Sequence, residues 1–140
     1  MAVKINHIGI AVKNLDEAMK TYQKVLGISP DDVIRSPEMD MGVAMYSLND
    51  VKIEVMEPTK QEGPIARFID SRGEGVHHIC FEVENIDEKI KYLLGEGVKL
   101  VDEKAHQGIE GMVAFIHPKE TNSVLIELLQ QKPSDKESGD

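Results

Sequence analysis

The chain has 140 residues, 41% of them hydrophobic, so it is long enough to bury a substantial core. Its net charge of −9 argues against nucleic-acid binding, which needs a clustered basic surface. The single cysteine, Cys80, excludes an internal disulfide, and no apolar run approaches membrane-spanning length. We therefore expect a cytoplasmic protein with no membrane partner.

The first predicted strand introduces a pattern that the chain repeats half-way along. Residues 5–12 alternate bulky apolar side chains with a second face that carries His7. Residues 76–83 repeat this arrangement around His78, which lies 71 positions later (78 − 7 = 71). A period of this length is too long for a solenoid repeat and predicts a duplicated supersecondary unit.

The remaining elements follow in a similar order in the two halves. In the first half, a helix begins after Asn14 and ends at Gly27, residues 29–40 are mostly irregular, and strands at 42–48 and 51–56 form a hairpin. In the second half, a helix begins after Asn85, and strands are predicted at 99–101, 112–117 and 124–129.

A glutamate lies inside an apolar strand in each half. Glu54 and Glu127 are 73 positions apart (127 − 54 = 73), and each is flanked by apolar residues. Burying a lone carboxylate costs several kcal/mol, roughly, unless it is paired, bound to a metal or protonated. A sheet edge with the glutamate facing water is the alternative for either residue taken alone.

The internal repeat favours one site shared by the two histidines and two glutamates over four unrelated buried side chains. One histidine and one glutamate from each half provide imidazole and carboxylate donors, which suit Zn, Co, Ni, Mn or Fe as a divalent ion. Four protein ligands without a thiolate leave positions for water or substrate, which indicates a catalytic ion. His77 falls on the opposite strand face from His78 and is interpreted as packing; His106 and His117 are left unassigned.

These residues and their surroundings resemble the methylmalonyl-CoA epimerases of the vicinal oxygen chelate superfamily, which also includes glyoxalase I. The similarity runs from Ile5 to Leu129 and covers nearly the whole chain. The segments that carry it are residues 6–12, 53–58, 64–68, 72–79, 115–119 and 124–128.

The resemblance implies an α+β fold in which two βαβββ modules form a curled, open mixed-sheet barrel around a metal cleft, with the helices outside. It implies one domain over residues 1–130, with modules 4–72 and 75–130. The polar composition of residues 131–140 separately predicts a disordered tail. The resemblance also implies a homodimer and one divalent ion, with Co or Zn favoured. The metal ligands that it implies are His7, Glu54, His78 and Glu127.

The reaction implied is epimerisation of an acyl-CoA, methylmalonyl-CoA, by proton transfer through a metal-stabilised enolate. Glu127 and Glu38 are the implied proton-transfer residues, although the family's usual Glu-Gln-Gly reads Glu38-Met39-Asp40 in this chain. A glyoxalase I acting on a hemithioacetal is the alternative, with the same four ligands and no need for Glu38. A non-catalytic ligand-sequestering protein ranks third, because such proteins generally lack the metal ligands.

Overall fold

The computed structural model describes residues 3–133. Its elements are β1 (Lys4–Ala11), α1 (Leu15–Leu26), β2 (Asp32–Ser36), β3 (Met41–Leu48), β4 (Val51–Pro58), α2 (Pro64–Arg72), β5 (Gly75–Glu82), α3 (Ile86–Gly95), β6 (His106–Gln107), β7 (Gly111–Ile116) and β8 (Leu125–Gln131). Short 3₁₀ helices occur at Pro37–Met39 and Pro118–Thr121. Among the described residues, no helix has both the length and the apolar character needed to cross a bilayer.

The described chain forms two compact units. One is His7–Ile79, and the other comprises the described residues before His7 and those from Cys80 onward. The single domain over residues 1–130 stays a prediction. Of the predicted tail, Gln131 still belongs to β8, and residues 134–140 lie outside the described residues.

The first unit carries a sheet segment with the strand order β2-β3-β4-β1. β1 runs parallel to β4, whereas β3 is antiparallel to both β2 and β4. Helix α1 covers one face of this segment, and its Leu15 is fully buried with Ala44 and Tyr46 of β3. The amphipathic stripe of α1 therefore packs on the apolar side of the strands, as its helical spacing predicts.

Both module helices begin in the same way. Asn14 accepts a hydrogen bond from the N–H of Glu17 (2.9 Å), and Asn85 accepts one from the N–H of Glu88 (3.0 Å). In addition, a side chain from the module's last strand reaches each helix start. Glu57 Oε2 accepts from the Leu15 N–H, and Gln130 Oε1 accepts from the Ile86 N–H, each at 2.9 Å. These bonds satisfy amide groups that a helix start leaves unpaired.

The second unit contains the strand order β8-β7-β6, which corresponds to β4-β3-β2 of the first unit. β7 is antiparallel to both β6 and β8. Helix α3 buries Ile86 and Ile90 against Ala114 of β7 and Leu128 of β8. The predicted α+β class, with two βαβββ modules, mixed strands in a sheet that is not closed, and helices packed outside, is confirmed.

Two local predictions were wrong. Residues 29–40 are not mostly irregular, because β2 lies within them and pairs with β3. β2 is an edge strand whose Asp32, Val33 and Arg35 are exposed, so it lacks the alternation that reveals a strand. Conversely, residues 99–101 form only an isolated bridge from Leu100 to Ile116, and β6 follows at His106–Gln107.

Tyr46 gives a stability prediction. Its side chain is fully buried, its hydroxyl has no hydrogen-bond partner within residues 3–133, and burial raises the pKa of the phenol. Since an unpaired buried hydroxyl is destabilising, Tyr46→Phe is expected to raise the free energy of unfolding by about 1 kcal/mol. Urea unfolding measures the change, and exposed Tyr92→Phe is the control. A loss of stability on Tyr46→Phe would show that the hydroxyl is bonded.

Candidate metal centre

β1 and β4 bring His7 and Glu54 together. In their parallel ladder Gly9 pairs with Glu54, and His7 lies two residues before Gly9 on the same strand face. The Nδ1 atom of His7 is 3.4 Å from Oε2 of Glu54, and their side chains are 7% and 13% exposed. The carboxylate therefore faces one nitrogen of the imidazole and leaves the other to a different neighbour.

That neighbour is His78 of β5. The Nε2 atoms of His7 and His78 are 3.0 Å apart, and the two rings are nearly perpendicular, at 89°. Both residues are buried, with relative exposures of 5% and 7%. Within the unit His7–Ile79, His7 thus contacts two other predicted ligands, Glu54 at one ring nitrogen and His78 at the other.

Gly9 makes room for the His78 ring. A Cβ atom built on Gly9 would lie 2.3 Å from Cε1, 2.6 Å from Nδ1 and 2.9 Å from Nε2 of His78. Side-chain carbons do not tolerate such distances, so any larger residue must displace either the ring or β1. The His78 imidazole consequently lies directly on the backbone of the strand that carries His7.

The donor set fits a divalent first-row cation. Two nitrogen ligands about 2.1 Å from one ion, separated by 90–109°, lie about 3.0–3.4 Å from each other. The Nε2 atoms of His7 and His78 have this separation, and both are shielded from bulk water. The Glu54 carboxylate, which lies at the opposite ring nitrogen of His7, supplies negative charge close to the two histidines.

The two predicted proton-transfer residues lie on two further elements, Glu127 on β8 and Glu38 on the 3₁₀ helix Pro37–Met39. Glu127 is partly buried on β8, where it pairs with Phe115 of β7, much as Glu54 pairs with Met45 of β3. Glu38 is exposed in the 3₁₀ helix that precedes β3, beyond the Met41–Pro58 pair at the end of the β3–β4 ladder. Their roles stay predictions.

Sequence reasoning assigned His77 to packing, which describes only part of its surroundings. His77 does stack edge-on against Phe68 of α2, with ring centroids 5.0 Å apart. Its Nδ1 atom is also 2.9 Å from Nδ1 of His78. The His77-His78 doublet was the signal in the sequence, but strand alternation alone places consecutive side chains on opposite faces.

Comparison with known proteins identifies the class to which this fold and donor set belong. Residues 6–116 match the Glyoxalase/Bleomycin resistance protein/Dioxygenase superfamily. The chain therefore belongs to this superfamily, and the predicted resemblance to the vicinal oxygen chelate proteins is confirmed.

Methylmalonyl-CoA epimerases are among the similar members of this superfamily. The mitochondrial enzyme of Dictyostelium discoideum is 37% identical over 127 residues, which cover 89% of this chain and 76% of the relative. The crystal structure of the Mycobacterium tuberculosis enzyme gives a TM-score of 0.83 at 32% identity, covering 97% of this chain and 91% of that one. These similarities confirm the predicted epimerase resemblance and place the chain among enzymes of the isomerase class.

Two further proteins bear on ligand choice. A variant of Streptomyces coelicolor methylmalonyl-CoA epimerase, solved in complex with 2-nitronate-propionyl-CoA, gives a TM-score of 0.82 at 28% identity, covering 93% of this chain and 98% of that one. A lactoylglutathione lyase of Schizosaccharomyces pombe is 31% identical over 91% of this chain, but only 47% of the lyase is covered.

Proposed function

We propose that the protein is a methylmalonyl-CoA epimerase that works with one divalent metal ion. The observation that carries the proposal is the buried pair of facing Nε2 atoms of His7 and His78, in a chain whose similar relatives include epimerases that act on methylmalonyl-CoA. Glu54 lies beside the same histidine, His7, with Oε2 at 3.4 Å from Nδ1 of His7.

The proposed ligands are His7, Glu54, His78 and Glu127. When bound, the ion supplies positive charge that stabilises the enolate formed as the α-proton leaves. Co or Zn is favoured, because imidazole and carboxylate donors suit both. Burial of the two histidines keeps competing water away from their nitrogens and strengthens the local electrostatics.

Proton transfer is assigned to two carboxylates. One removes the α-proton, which breaks the C–H bond and leaves its electron pair delocalised into the thioester. The other then delivers a proton to the opposite face, so no net oxidation or reduction occurs. Glu127 is assigned to one face and Glu38 to the other, since inversion needs acid–base groups on both sides of the carbon. The exposed position of Glu38 next to the β3–β4 ladder is accessible to an entering substrate.

Glyoxalase I is the second candidate, supported by the similar lyase of Schizosaccharomyces pombe. It shares the four proposed ligands but has no requirement for Glu38. The limited coverage of that lyase by this chain makes the epimerase the better-supported function. A homodimer remains a prediction from the family resemblance.

Proton exchange in deuterated water tests the proposal. Methylmalonyl-CoA is incubated with the protein, and α-deuterium incorporation and epimer ratio are followed by NMR and mass spectrometry. We expect exchange together with epimerisation, loss of both on treatment with a chelator, and recovery when Co²⁺ or Zn²⁺ is added. Exchange that survives complete metal removal would overturn the metal dependence. Absence of exchange with intact metal, together with turnover of a hemithioacetal, would favour the lyase.

A further inference from the structure

The hydrogen-bond partner of His78 Nδ1 is a second histidine, and this contact has a chemical consequence. The Nδ1 atoms of His77 and His78 are 2.9 Å apart, a length that requires one of them to carry the hydrogen and the other to accept it. The opposite nitrogen of His78, Nε2, is the one that faces His7. The direction of the His77–His78 bond therefore decides whether Nε2 of His78 presents a lone pair or an N–H.

We propose that His77 is a positioning residue that accepts the Nδ1–H of His78 and so fixes His78 with a bare Nε2 atom. The inference rests on the metal site of the proposed function. A neutral imidazole carries one hydrogen, so placing it on Nδ1 makes Nε2 an electron-pair donor. A metal-ligating histidine commonly donates its other ring N–H to a neighbouring acceptor, which sets the ring's tautomer and orientation.

The surroundings of His77 hold its acceptor nitrogen in place. The His77 ring is partly buried and stacks on Phe68 at an interplanar angle of 81°. Phe68 in turn has the Arg72 guanidinium 5.8 Å from its ring centroid, so one face of α2 fixes the stack. The His78 ring is held between His77 and the Cα of Gly9, where no Cβ intrudes.

This arrangement gives each ligating histidine its own partner. His7 has Glu54 at Nδ1, and His78 has His77 at Nδ1, while the two Nε2 atoms face each other. In the metal-free chain, the 3.0 Å contact between the two Nε2 atoms needs one hydrogen between them. With a bare Nε2 atom, His78 accepts this hydrogen from His7, so an ion bound between the two rings would displace a proton from His7 alone.

The test compares two replacements of His77 with a matched control. His77→Phe keeps an aromatic ring against Phe68 and removes the acceptor nitrogen. His77→Asn restores an acceptor oxygen near the position of Nδ1, because Asn Oδ1 and His Nδ1 are the same number of bonds from Cα. His106→Gln is the control, since His106 is exposed on β6 and pairs with Asp102.

Two readouts are used, neither of which is activity. The first is the ¹⁵N spectrum of metal-free protein labelled at histidine, taken at about pH 8.5, where a histidine ring is ordinarily neutral. The second is Co²⁺ affinity by competition with a chromogenic chelator. The native chain is expected to show His78 as the Nδ1–H tautomer. His77→Phe is expected to mix the tautomers and weaken Co²⁺ binding by about 10–100-fold. His77→Asn should restore most of both, and His106→Gln should leave both unchanged.

Several results would overturn the proposal. One is a native His78 that carries its hydrogen on Nε2, which is readable even if His77→Phe fails to fold. Another is a folded His77→Phe protein with native tautomer and native Co²⁺ affinity. A third is a His77→Asn protein as impaired as His77→Phe, since ring packing alone would then explain the loss. Failure of the proposed function differs from all three: the native chain would bind no Co²⁺ while the ¹⁵N spectrum still reported the His77–His78 bond.

Discussion

Replacing Glu127 by glutamine is expected to lower the epimerisation rate of methylmalonyl-CoA by about 10²–10⁴-fold, the usual contribution of a positioned acid–base group. Glutamine keeps the size of the side chain and removes its capacity to carry a proton. Glu127 lies within the β7–β8 ladder, so the change leaves backbone pairing intact. The measurement is the rate of interconversion of the two epimers, with exposed Glu103→Gln as the control.

The two-carboxylate mechanism makes a sharper prediction for Glu127→Gln and Glu38→Gln compared side by side. With one carboxylate removed, inversion stops, but the remaining one still exchanges the α-proton of the epimer that presents its hydrogen to that side. Each variant is therefore expected to wash deuterium into one epimer only, and the two variants should select opposite epimers. Native exchange and inversion in Glu38→Gln would exclude Glu38 as the second acid–base group. Because Glu127 is also a proposed ligand, Co²⁺ content is measured in parallel.

Gly9→Ala is expected to lower kcat/KM by about 10²-fold, because a catalytic group displaced by about 1 Å commonly costs that much. The physical cause is the added Cβ, which would lie 2.3 Å from Cε1 of His78 and force its ring away from His7. Co²⁺ affinity should fall together with activity, and the free energy of unfolding should drop by about 1–3 kcal/mol from overpacking.

A double-mutant cycle shows whether Gly9 acts through His78. In a His78→Ala background the clashing ring is absent, so adding Gly9→Ala should cost little further stability. Gly95→Ala is the matched control, because a Cβ there meets nothing within 4 Å among the described atoms. Equal costs of Gly9→Ala with and without the His78 ring would show that the glycine is needed for another reason.

The arrangement of elements could be predicted wherever a pattern is local. Asn14 and Asn85 cap the two helices that they were expected to start, because a cap needs only its own side chain and an amide three residues on. β2 escaped prediction because its partner strand supplies the backbone hydrogen bonds while its side chains stay exposed. An edge strand of this kind forms because it pairs with its neighbouring strand, and this pairing leaves no pattern in the sequence of the edge strand itself.

The candidate site also combines features that could be predicted from the sequence with features that only the tertiary structure decided. Strand alternation and the internal repeat predicted that His7, Glu54, His78 and Glu127 belong together, since residues spaced by two share a face and duplicated modules repeat their faces. Only the tertiary structure decided which nitrogen of each imidazole faces its neighbour, that the His78 ring lies on Gly9, and that His77 contacts it. Those choices depend on side-chain torsions, which are fixed by residues distant in sequence, such as Gly9 for His78 and Phe68 for His77. The sequence thus determined which side chains share a strand face, whereas close packing between distant segments decided their atomic geometry.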